Sequence, residues 1–287
     1  MPCPFFLGGG NLYKQALSDN LRLFDLFRLH KWRKDFRKAH PYMFGPIGTM
    51  IFCGSQGKGK TLSAVNYVCN VLKDYPFAVL VTNVGIKDYP FNAYYKVIGG
   101  HGVLFDKATD EIITSAEIVA GHFKRVCVEY DGLDTLKYVC NGEYGVIYLI
   151  DELHLELNSL ESKNIDIDVM TEISQQRKQR KHIVGTSQVY MRLAKPLREQ
   201  IFDVIICNNF FHCLQFNKAI DGETAVEKDG KLDATVRSRH IFFHTPEMYE
   251  RYDTFAKMKR YNKEWQGHKR ETPVYSYTPP QERSKKK

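Results

Sequence analysis

Residues 54 to 61 combine glycine, lysine and threonine at the spacing G-x-x-x-x-G-K-T, which suits the binding of a polyphosphate. The segment reads Gly54, Ser55, Gln56, Gly57, Lys58, Gly59, Lys60, Thr61. Its glycines allow the backbone angles and close approach through which N–H groups can point at phosphate oxygens. We expect Lys60 to reach the β and γ phosphates and the Thr61 hydroxyl to hold Mg²⁺. Leu62, the next residue, is expected to complete the nucleotide-binding segment.

The residues on either side favour the same interpretation. The apolar run 47–53 predicts a strand before the glycines, and apolar residues at helical spacing follow them. These apolar residues are Leu62, Val65, Val68, Cys69 and Leu72. A strand, a glycine turn and a helix start together aim the positive end of a helix dipole at the ligand, which is the arrangement of a P-loop. The alternative is an ordinary glycine turn with two solvated lysines.

A pair of acidic residues further along the chain is the second chemical feature. Val146–Ile150 is an uninterrupted apolar run, and Asp151 and Glu152 follow it. The run predicts a buried parallel strand that delivers two carboxylates to its carboxyl end, where α/β sheets bind ligands. We expect Asp151 to bind Mg²⁺ through water and Glu152 to polarise the water that attacks the γ-phosphate. An acidic pair in this position is, by itself, also typical of a helix cap.

Residues 183–188 form a short strand pattern that ends in polar side chains. Gln188 would lie at the same edge of the sheet, where we expect it to contact the γ-phosphate or the attacking water. The alternative is that Thr186 or Ser187 caps a helix. A helix broken by Pro196 is predicted next.

Basic side chains are dense just before that strand, from residue 175 to residue 182. Arg177 and Arg180 are three residues apart, so on a helix they would share one face. Such a pair could contact DNA phosphates or the nucleotide of a neighbouring subunit. The helix dipole also favours basic residues in a last turn, which leaves a purely local role open.

A second basic region lies within the first forty residues. Residues 11–40 have a helical pattern with Leu17, Leu21, Phe24 and Phe27 on one side, and with many lysines and arginines in the second half. Three roles are open for this helix or helix pair. It could bind nucleic-acid phosphates, lie on an anionic membrane surface, or pack its apolar side on the domain while its charges stay solvated.

Composition indicates an ordinary globular protein with an anionic partner. The chain has 287 residues, a hydrophobic fraction of 43% and a net charge of +8. It is long enough for a sizeable core, and the charge favours a nucleotide or a nucleic acid without deciding between them. The seven cysteines lack C-x-x-C spacing and are expected to be free thiols. Because no apolar run reaches about 18 residues and no secretory signal is evident, we expect a cytoplasmic protein, or one peripheral at a membrane.

Three parts are expected along the chain. They are a basic helical arm at 1–45, an α/β domain with a mostly parallel sheet at 46–260, and a flexible basic tail at 261–287. The middle region 88–143 is less regular and could partly be an insertion over the nucleotide site. Residues 212–244 predict a short β meander near the end of the domain.

In their order along the chain, these motifs resemble the P-loop ATPases that carry a catalytic glutamate and an extra strand between the two nucleotide motifs. Within that branch the chain resembles the zonular occludens toxin-like family, the assembly ATPases of filamentous phages. That family is related to FtsK/HerA-type DNA translocases and to viral packaging ATPases. The matching features are the loop 54–61, Val81-Thr82-Asn83, Leu149-Ile150-Asp151-Glu152, the basic segment 176–180, Thr186-Ser187-Gln188 and Leu197-Arg198.

The resemblance implies Mg-dependent ATP hydrolysis by a small set of residues. They are Lys60, Thr61, Asp151 and Glu152. Gln188 would act as a sensor of the γ-phosphate. The resemblance further implies a homo-oligomeric ring in which one arginine completes the site of a neighbouring subunit, the candidates being Arg198, Arg180 and Arg177.

In one respect the chain departs from that family. Assembly ATPases of filamentous phages usually carry a transmembrane segment after the ATPase domain, and this sequence has none. The departure favours a soluble ATPase that translocates or packages DNA in the host cytoplasm, with a membrane or assembly protein as a further partner. Two alternatives remain open: a nucleotide-dependent assembly factor that acts on protein or membrane partners, and a small-molecule kinase.

Overall fold

The computed structural model describes residues 23–160, 165–228 and 231–252, and within these ranges the chain forms thirteen strands and seven α-helices. The strands are β1 Gly48–Cys53, β2 Val79–Thr82, β3 Ala93–Ile98, β4 His101–Asp106, β5 Ile112–Ile113, β6 Cys127–Glu129, β7 Val146–Ile150, β8 Lys181–Ser187, β9 Ile201–Phe210, β10 Leu214–Asp221, β11 Val226–Lys228, β12 Lys231–Asp233 and β13 Val236–Phe243. The helices are α1 Leu23–Ala39, α2 Lys60–Asp74, α3 Ser115–Ala120, α4 Thr135–Tyr138, α5 Ile167–Gln175, α6 Lys195–Arg198 and α7 Pro246–Glu250.

Eleven of the described strands form one mixed sheet in the order β13-β10-β9-β1-β8-β7-β2-β6-β3-β4-β5. The seven strands from β9 to β3 pair in parallel, whereas β10 and β13 on one side and β4 and β5 on the other pair antiparallel. Strand β8 lies between β1 and β7. The carboxyl ends of these three parallel strands therefore meet at one edge of the sheet, called the carboxyl edge below.

The central strands are apolar runs because the sheet is covered on both faces. All five residues of β7 and all seven of β8 are buried. On one face, Val65 and Val68 of α2 pack with Phe52 and Leu80 of the sheet. Burying each such side chain contributes roughly 1.5–3 kcal/mol, so this packing fixes the start of α2 against β1. The mixed α/β sheet agrees with the expected fold class.

Helix α1 accounts for the second half of the predicted basic helix, and its large apolar side chains are exposed. Phe24 is 81% exposed, Phe27 75% and Trp32 60%. The interpretation in which this helix packs its apolar side on the domain is therefore not supported by residues 23–39. The earlier part of the pattern, with Leu17 and Leu21, lies outside the described residues.

The basic segment before β8 differs from its prediction. Helix α5 ends at Gln175, and Arg180 has a positive φ of 56°, so Arg177 and Arg180 do not share a helix face. Arg180 instead donates a hydrogen bond from Nη1 to the main-chain oxygen of Phe44 at 3.0 Å. The tight return into β8 requires this left-handed residue, and a periodicity argument has no means of detecting it.

Most of the middle region 88–143 extends the sheet. Residues 93–129 supply β3, β4, β5 and β6, which lie beyond β2 on the side away from β1. The meander prediction agrees with β10 to β13, of which β11 and β12 form a separate hairpin. The tail 261–287 lies outside the described residues. No helix among the described ranges is both long enough and apolar enough to cross a bilayer.

Candidate active site

The glycine-rich segment is the turn between β1 and α2, as its pattern predicts. Gly54 donates its N–H to the main-chain oxygen of Ser187 at 3.3 Å, which ties the start of the loop to the end of β8. Gly59 caps α2 with φ 75° and ψ 25°, a conformation that favours glycine, and no side chain caps the helix. The first N–H groups of α2 thus remain available for an anion.

Lys60 lies at the first position of α2 with its side chain turned into the loop. The residue is only 7% exposed, and its Nζ donates to the main-chain oxygen of Ser55 at 3.3 Å. Within the described part of the chain no carboxylate lies within salt-bridge distance of this ammonium group. A buried cation without a counter-ion is costly, so an anion bound in the loop would stabilise this arrangement.

Thr61 and Asp151, the two residues expected to hold Mg²⁺, are in direct contact. The Thr61 hydroxyl donates to Oδ1 of Asp151 at 2.8 Å, although the residues are 90 positions apart. Asp151 is 9% exposed at the end of β7. A hydroxyl and a carboxylate are hard oxygen ligands of the kind that Mg²⁺ prefers, so the donor set fits this ion.

Two further residues position Asp151, and the sequence interpretation gave neither of them this role. The Thr186 hydroxyl donates to Asp151 Oδ1 at 2.7 Å. The Asn83 side chain bonds twice to the main chain of Asp151, accepting from its N–H at 2.8 Å and donating to its oxygen at 3.0 Å. Thr186 is thus not a helix cap. The available signal was that β2 and β8 both end in polar residues at the carboxyl edge.

Glu152 takes a left-handed backbone conformation, with φ 54° and ψ 45°. Its N–H donates to the Thr186 hydroxyl at 2.9 Å, which holds this uncommon conformation in place. Its Oε2 lies 3.2 Å from Nδ1 of His154 but receives no aligned hydrogen bond from the described residues. His154 is 6% exposed, and burial lowers its pKa despite the nearby Glu152 carboxylate. The sequence interpretation did not single out His154.

Gln188 follows β8 at the carboxyl edge and is exposed. It lines a cavity of about 430 Å³ together with Gly54 of the loop. The cavity is also bordered by Tyr190, Asn208, Lys218 and Leu232. The structure thus places Gln188 beside Gly54, the first residue of the glycine-rich loop 54–61.

The three candidate arginines do not lie in the loop of their own chain. Arg198 ends α6, just before Ile201 pairs with Thr49 at the opposite edge of the sheet. Its guanidinium carbon lies 5.9 Å from the centre of the Tyr190 ring, and its Nη1 lies 2.8 Å from Sδ of Met191. Within one chain, therefore, no arginine is among the described contacts of Asp151 and Glu152.

A residue that no motif indicated contacts the glycine-rich loop 54–61 from the other side. Gln215, on β10, is fully buried and donates from Nε2 to the main-chain oxygen of Lys58 at 3.0 Å. Its position 157 residues from Lys58 explains why local sequence patterns do not reveal it.

Comparison with known proteins gives distant structural similarities. No family model and no curated protein sequence matches the chain. Among solved structures, it is similar to the N-terminal domain of zonular occludens toxin from Neisseria meningitidis, with 13% identity, a TM-score of 0.46, and coverage of 73% of this chain and 100% of that one. It is also similar to the genome packaging NTPase B204 from Sulfolobus turreted icosahedral virus 2 in complex with ATP-gammaS, with 13% identity, a TM-score of 0.41, and coverage of 70% and 98%. A third similar structure is the flagellar accessory protein FlaH from Methanocaldococcus jannaschii, with 12% identity, a TM-score of 0.36, and coverage of 72% and 90%. The resemblance to zonular occludens toxin that the motifs indicate is thus also found by structural comparison, as a distant one.

Proposed function

We propose that this chain is a Mg-dependent ATPase that powers the translocation or packaging of DNA during phage or virus assembly. One observation carries the ATPase part of the proposal. The threonine that ends the phosphate loop, Thr61, is hydrogen-bonded to Asp151 at the end of a buried strand, with Glu152 next to it. A loop that suits a triphosphate, a pair of Mg²⁺ ligands and a carboxylate base are the parts that phosphoryl transfer to water requires.

Each residue has a separate task in the proposed reaction. The loop N–H groups and Lys60 would bind the phosphates and stabilise the charge that develops on them. Mg²⁺, held by Thr61 and Asp151, would supply further charge neutralisation when bound. Glu152 would orient the attacking water and accept its proton, and Gln188 would contact the γ-phosphate or that water. In the homo-oligomeric ring that we propose, an arginine of a neighbouring copy, with Arg198 as the first candidate, would complete the site.

The proposal that DNA is the partner rests on charge. The chain carries a net charge of +8, and the exposed helix α1 holds several lysines and arginines. Basic surfaces of this kind bind nucleic acid by neutralising phosphates, with an affinity that falls as salt rises. Movement of the ring on DNA would then be the work for which ATP is hydrolysed.

The test is ATP hydrolysis measured with and without single-stranded and double-stranded DNA, at low and moderate salt. We expect DNA to stimulate the wild-type rate, the stimulation to weaken with salt, and Glu152→Gln to abolish hydrolysis while nucleotide still binds. Leu160→Gln, an exposed change outside the site, serves as the control and should leave the rate unaltered. Activity that survives in Glu152→Gln would show that another group is the base.

A second candidate function is that of an assembly factor that acts on a protein or membrane partner. The observation that favours it is the exposure of aromatic residues on α1, because Phe24 and Trp32 are more than half exposed beside the lysines. Aromatic and basic side chains together also suit an anionic lipid surface. Hydrolysis that is indifferent to DNA but rises with anionic vesicles would favour this function over DNA translocation.

A further inference from the structure

Gln215 reaches the phosphate loop at the point where Gly59 has no side chain. A Cβ on Gly59 would collide with Oε1 of Gln215, so any larger residue there would displace the amide. The close approach arises because β10 pairs with β9, which lies next to β1. The loop and the buried glutamine are thus packed closely against each other, although they are far apart in sequence.

The hydrogen bonds of Gln215 allow its amide only one orientation. Nε2 donates to the main-chain oxygen of Lys58 at 3.0 Å and to Oδ1 of Asn217 at 2.8 Å, so both of its hydrogen atoms meet acceptors. Oε1 lies 3.0 Å from Nε2 of His244. Because an amide oxygen only accepts, the His244 ring must carry a proton on Nε2. Its Nδ1 lies 2.5 Å from the Tyr249 hydroxyl, which also lies 3.2 Å from the main-chain oxygen of His212.

The protonation state of His244 agrees with this arrangement. Burial lowers the pKa of its imidazole, which favours the neutral ring near pH 7. A neutral ring that carries its one proton on Nε2 can donate that proton to Oε1 of Gln215. His244 therefore sets the direction of the Gln215 amide, and Gln215 in turn bonds to the loop.

Geometry of the peptide group shows what this bond does to the loop. In a trans peptide the C=O and the following N–H point in opposite directions. By holding the Lys58 oxygen on its own side, Gln215 aims the Gly59 N–H away from β10. Gly59 is the residue that caps α2, so its N–H belongs to the group of donors that a phosphate would meet at the start of the helix.

We propose that Gln215 is a positioning residue for the phosphate loop, which it orders before nucleotide arrives, and that His244 fixes its orientation. The inference rests on the proposed nucleotide site. A loop that is ordered in advance loses less conformational entropy when its ligand binds. Removing the donor should therefore weaken nucleotide binding more than it slows the chemical step.

Two substitutions of Gln215 and one matched control test the proposal. Gln215→Met keeps the length of the side chain but donates no hydrogen bond, and Gln215→Glu keeps the shape but places an acceptor oxygen where the donor was. The control is Gln176→Met. Gln176 is also a buried glutamine, and it bonds to Thr49 at 3.0 and 3.2 Å near the start of β1, away from the loop.

The first measurement is amide hydrogen exchange of residues 54–61 in protein without nucleotide. We expect exchange to be faster by about tenfold in both Gln215 variants and unchanged in the control. The second is nucleotide binding, in which the Kd for ADP and the KM for ATP should rise about tenfold in the Gln215 variants while kcat changes less than about twofold.

Exchange in the loop that is unchanged in Gln215→Met, or that rises equally in the control, would overturn the proposal. The proposal would also be overturned if Gln215→Glu had the same loop amide exchange and the same nucleotide affinity as the wild type, because that variant lacks the donor. Failure of the wild-type protein to bind ADP would instead contradict the proposed function. The two failures are distinguishable because loop exchange is measured without nucleotide.

Discussion

Oε2 of Glu152 lies 3.2 Å from Nδ1 of His154, so the carboxylate that we propose as the base rests beside a buried imidazole. Burial lowers the pKa of this imidazole, and the ring is neutral near pH 7. A neutral neighbour leaves Glu152 free to take a proton from water. A protonated neighbour would form an ion pair with the carboxylate and reduce its basicity.

This contact predicts a loss of ATPase activity in mild acid that depends on His154. The pKa of His154 lies below 6.5, the ordinary value for histidine, and the ring becomes charged and pairs with Glu152 as the pH falls through this lowered pKa. We expect kcat of the wild-type protein to fall in this range. The variant His154→Gln, which cannot be charged, should keep its rate down to a lower pH. An identical acid limb in both pH profiles would contradict this role of His154.

Thr186 is expected to matter for catalysis because one hydroxyl serves both acidic residues. It donates to Asp151 Oδ1 and accepts from the N–H of Glu152. Thr186→Val keeps the shape and removes both bonds, so kcat should fall about ten- to a hundredfold through displacement of the two carboxylates. The matched control is Thr135→Val, which removes another bond from a buried threonine to an aspartate, Asp131, at the start of α4.

Both valine variants should lose stability, on the order of 1 kcal/mol, because each removes the hydrogen bond of a buried hydroxyl. Urea unfolding and kcat at saturating Mg-ATP would be measured for the same preparations. Equal losses of kcat in Thr186→Val and Thr135→Val would mean that the effect of Thr186 is one of stability alone.

Thr61 should determine how much Mg²⁺ improves nucleotide binding. Its hydroxyl contacts Asp151, and both oxygens suit the ion. In wild-type protein we expect ATP-gammaS to bind more tightly with Mg²⁺ than with EDTA. In Thr61→Val the two affinities should become nearly equal, while the affinity in EDTA stays close to that of the wild type. A full Mg²⁺ effect in Thr61→Val would remove Thr61 from the set of metal ligands.

The sequence predicts those parts of the site that local patterns determine. The glycine-rich loop 54–61 lies between a strand and a helix, as the glycine spacing and the apolar runs predict, and Asp151 and Glu152 follow a fully buried strand. Both features depend on a few neighbouring residues. Whether a glycine turn follows a strand and precedes a helix is a local matter, and so the prediction of these elements is confirmed.

The remaining parts depend on which strands become neighbours. Asn83 contacts Asp151 across 68 positions and Thr186 does so across 35, because β2, β7 and β8 end at the same edge. Gln215 reaches the loop from an antiparallel strand. Asn83 and Thr186 belong to short segments that carry the family resemblance, but neither segment indicates a contact with Asp151, and Gln215 has no such segment, so their roles required the sheet order.

His182 predicts a second pH effect, on stability. It is 2% exposed, and its ring lies between the Tyr67 hydroxyl at 3.0 Å and the main-chain oxygen of Gly48 at 2.9 Å. Burial lowers its pKa to about 4. Between pH 6.5 and this value the unfolded chain binds a proton that the folded chain does not, so stability falls as the pH is lowered, in total by about 3 kcal/mol from this residue.

Urea unfolding at several pH values between about 7.5 and about 4.5 would measure this effect. His182→Gln is expected to be less stable than the wild type at neutral pH, because it loses the hydrogen bonds of the ring with the Tyr67 hydroxyl and the Gly48 oxygen. On acidification, however, this variant should lose less additional stability than the wild type does. If the two proteins lose stability in parallel, a group other than His182 is responsible for the pH dependence.

Three lysines on α1 are expected to contribute to DNA binding. Lys31, Lys34 and Lys38 are exposed and lie at helical spacing on one face. Replacing all three with glutamine should weaken DNA binding and reduce the slope of log K against log salt by about one for each lysine that contacts a phosphate. The rate of ATP hydrolysis without DNA should not change, because α1 contributes no residue to the loop. Binding would be measured at several salt concentrations.

The matched control replaces three exposed lysines elsewhere on the domain, Lys87, Lys124 and Lys195, with glutamine. It makes the same change in net charge, so a general electrostatic effect would weaken DNA binding equally in both triple variants. A larger effect of the α1 variant would place DNA on this helix. Unchanged DNA binding together with reduced binding to anionic vesicles would instead assign the helix to a membrane surface, since interfacial helices use lysines and exposed aromatic rings together.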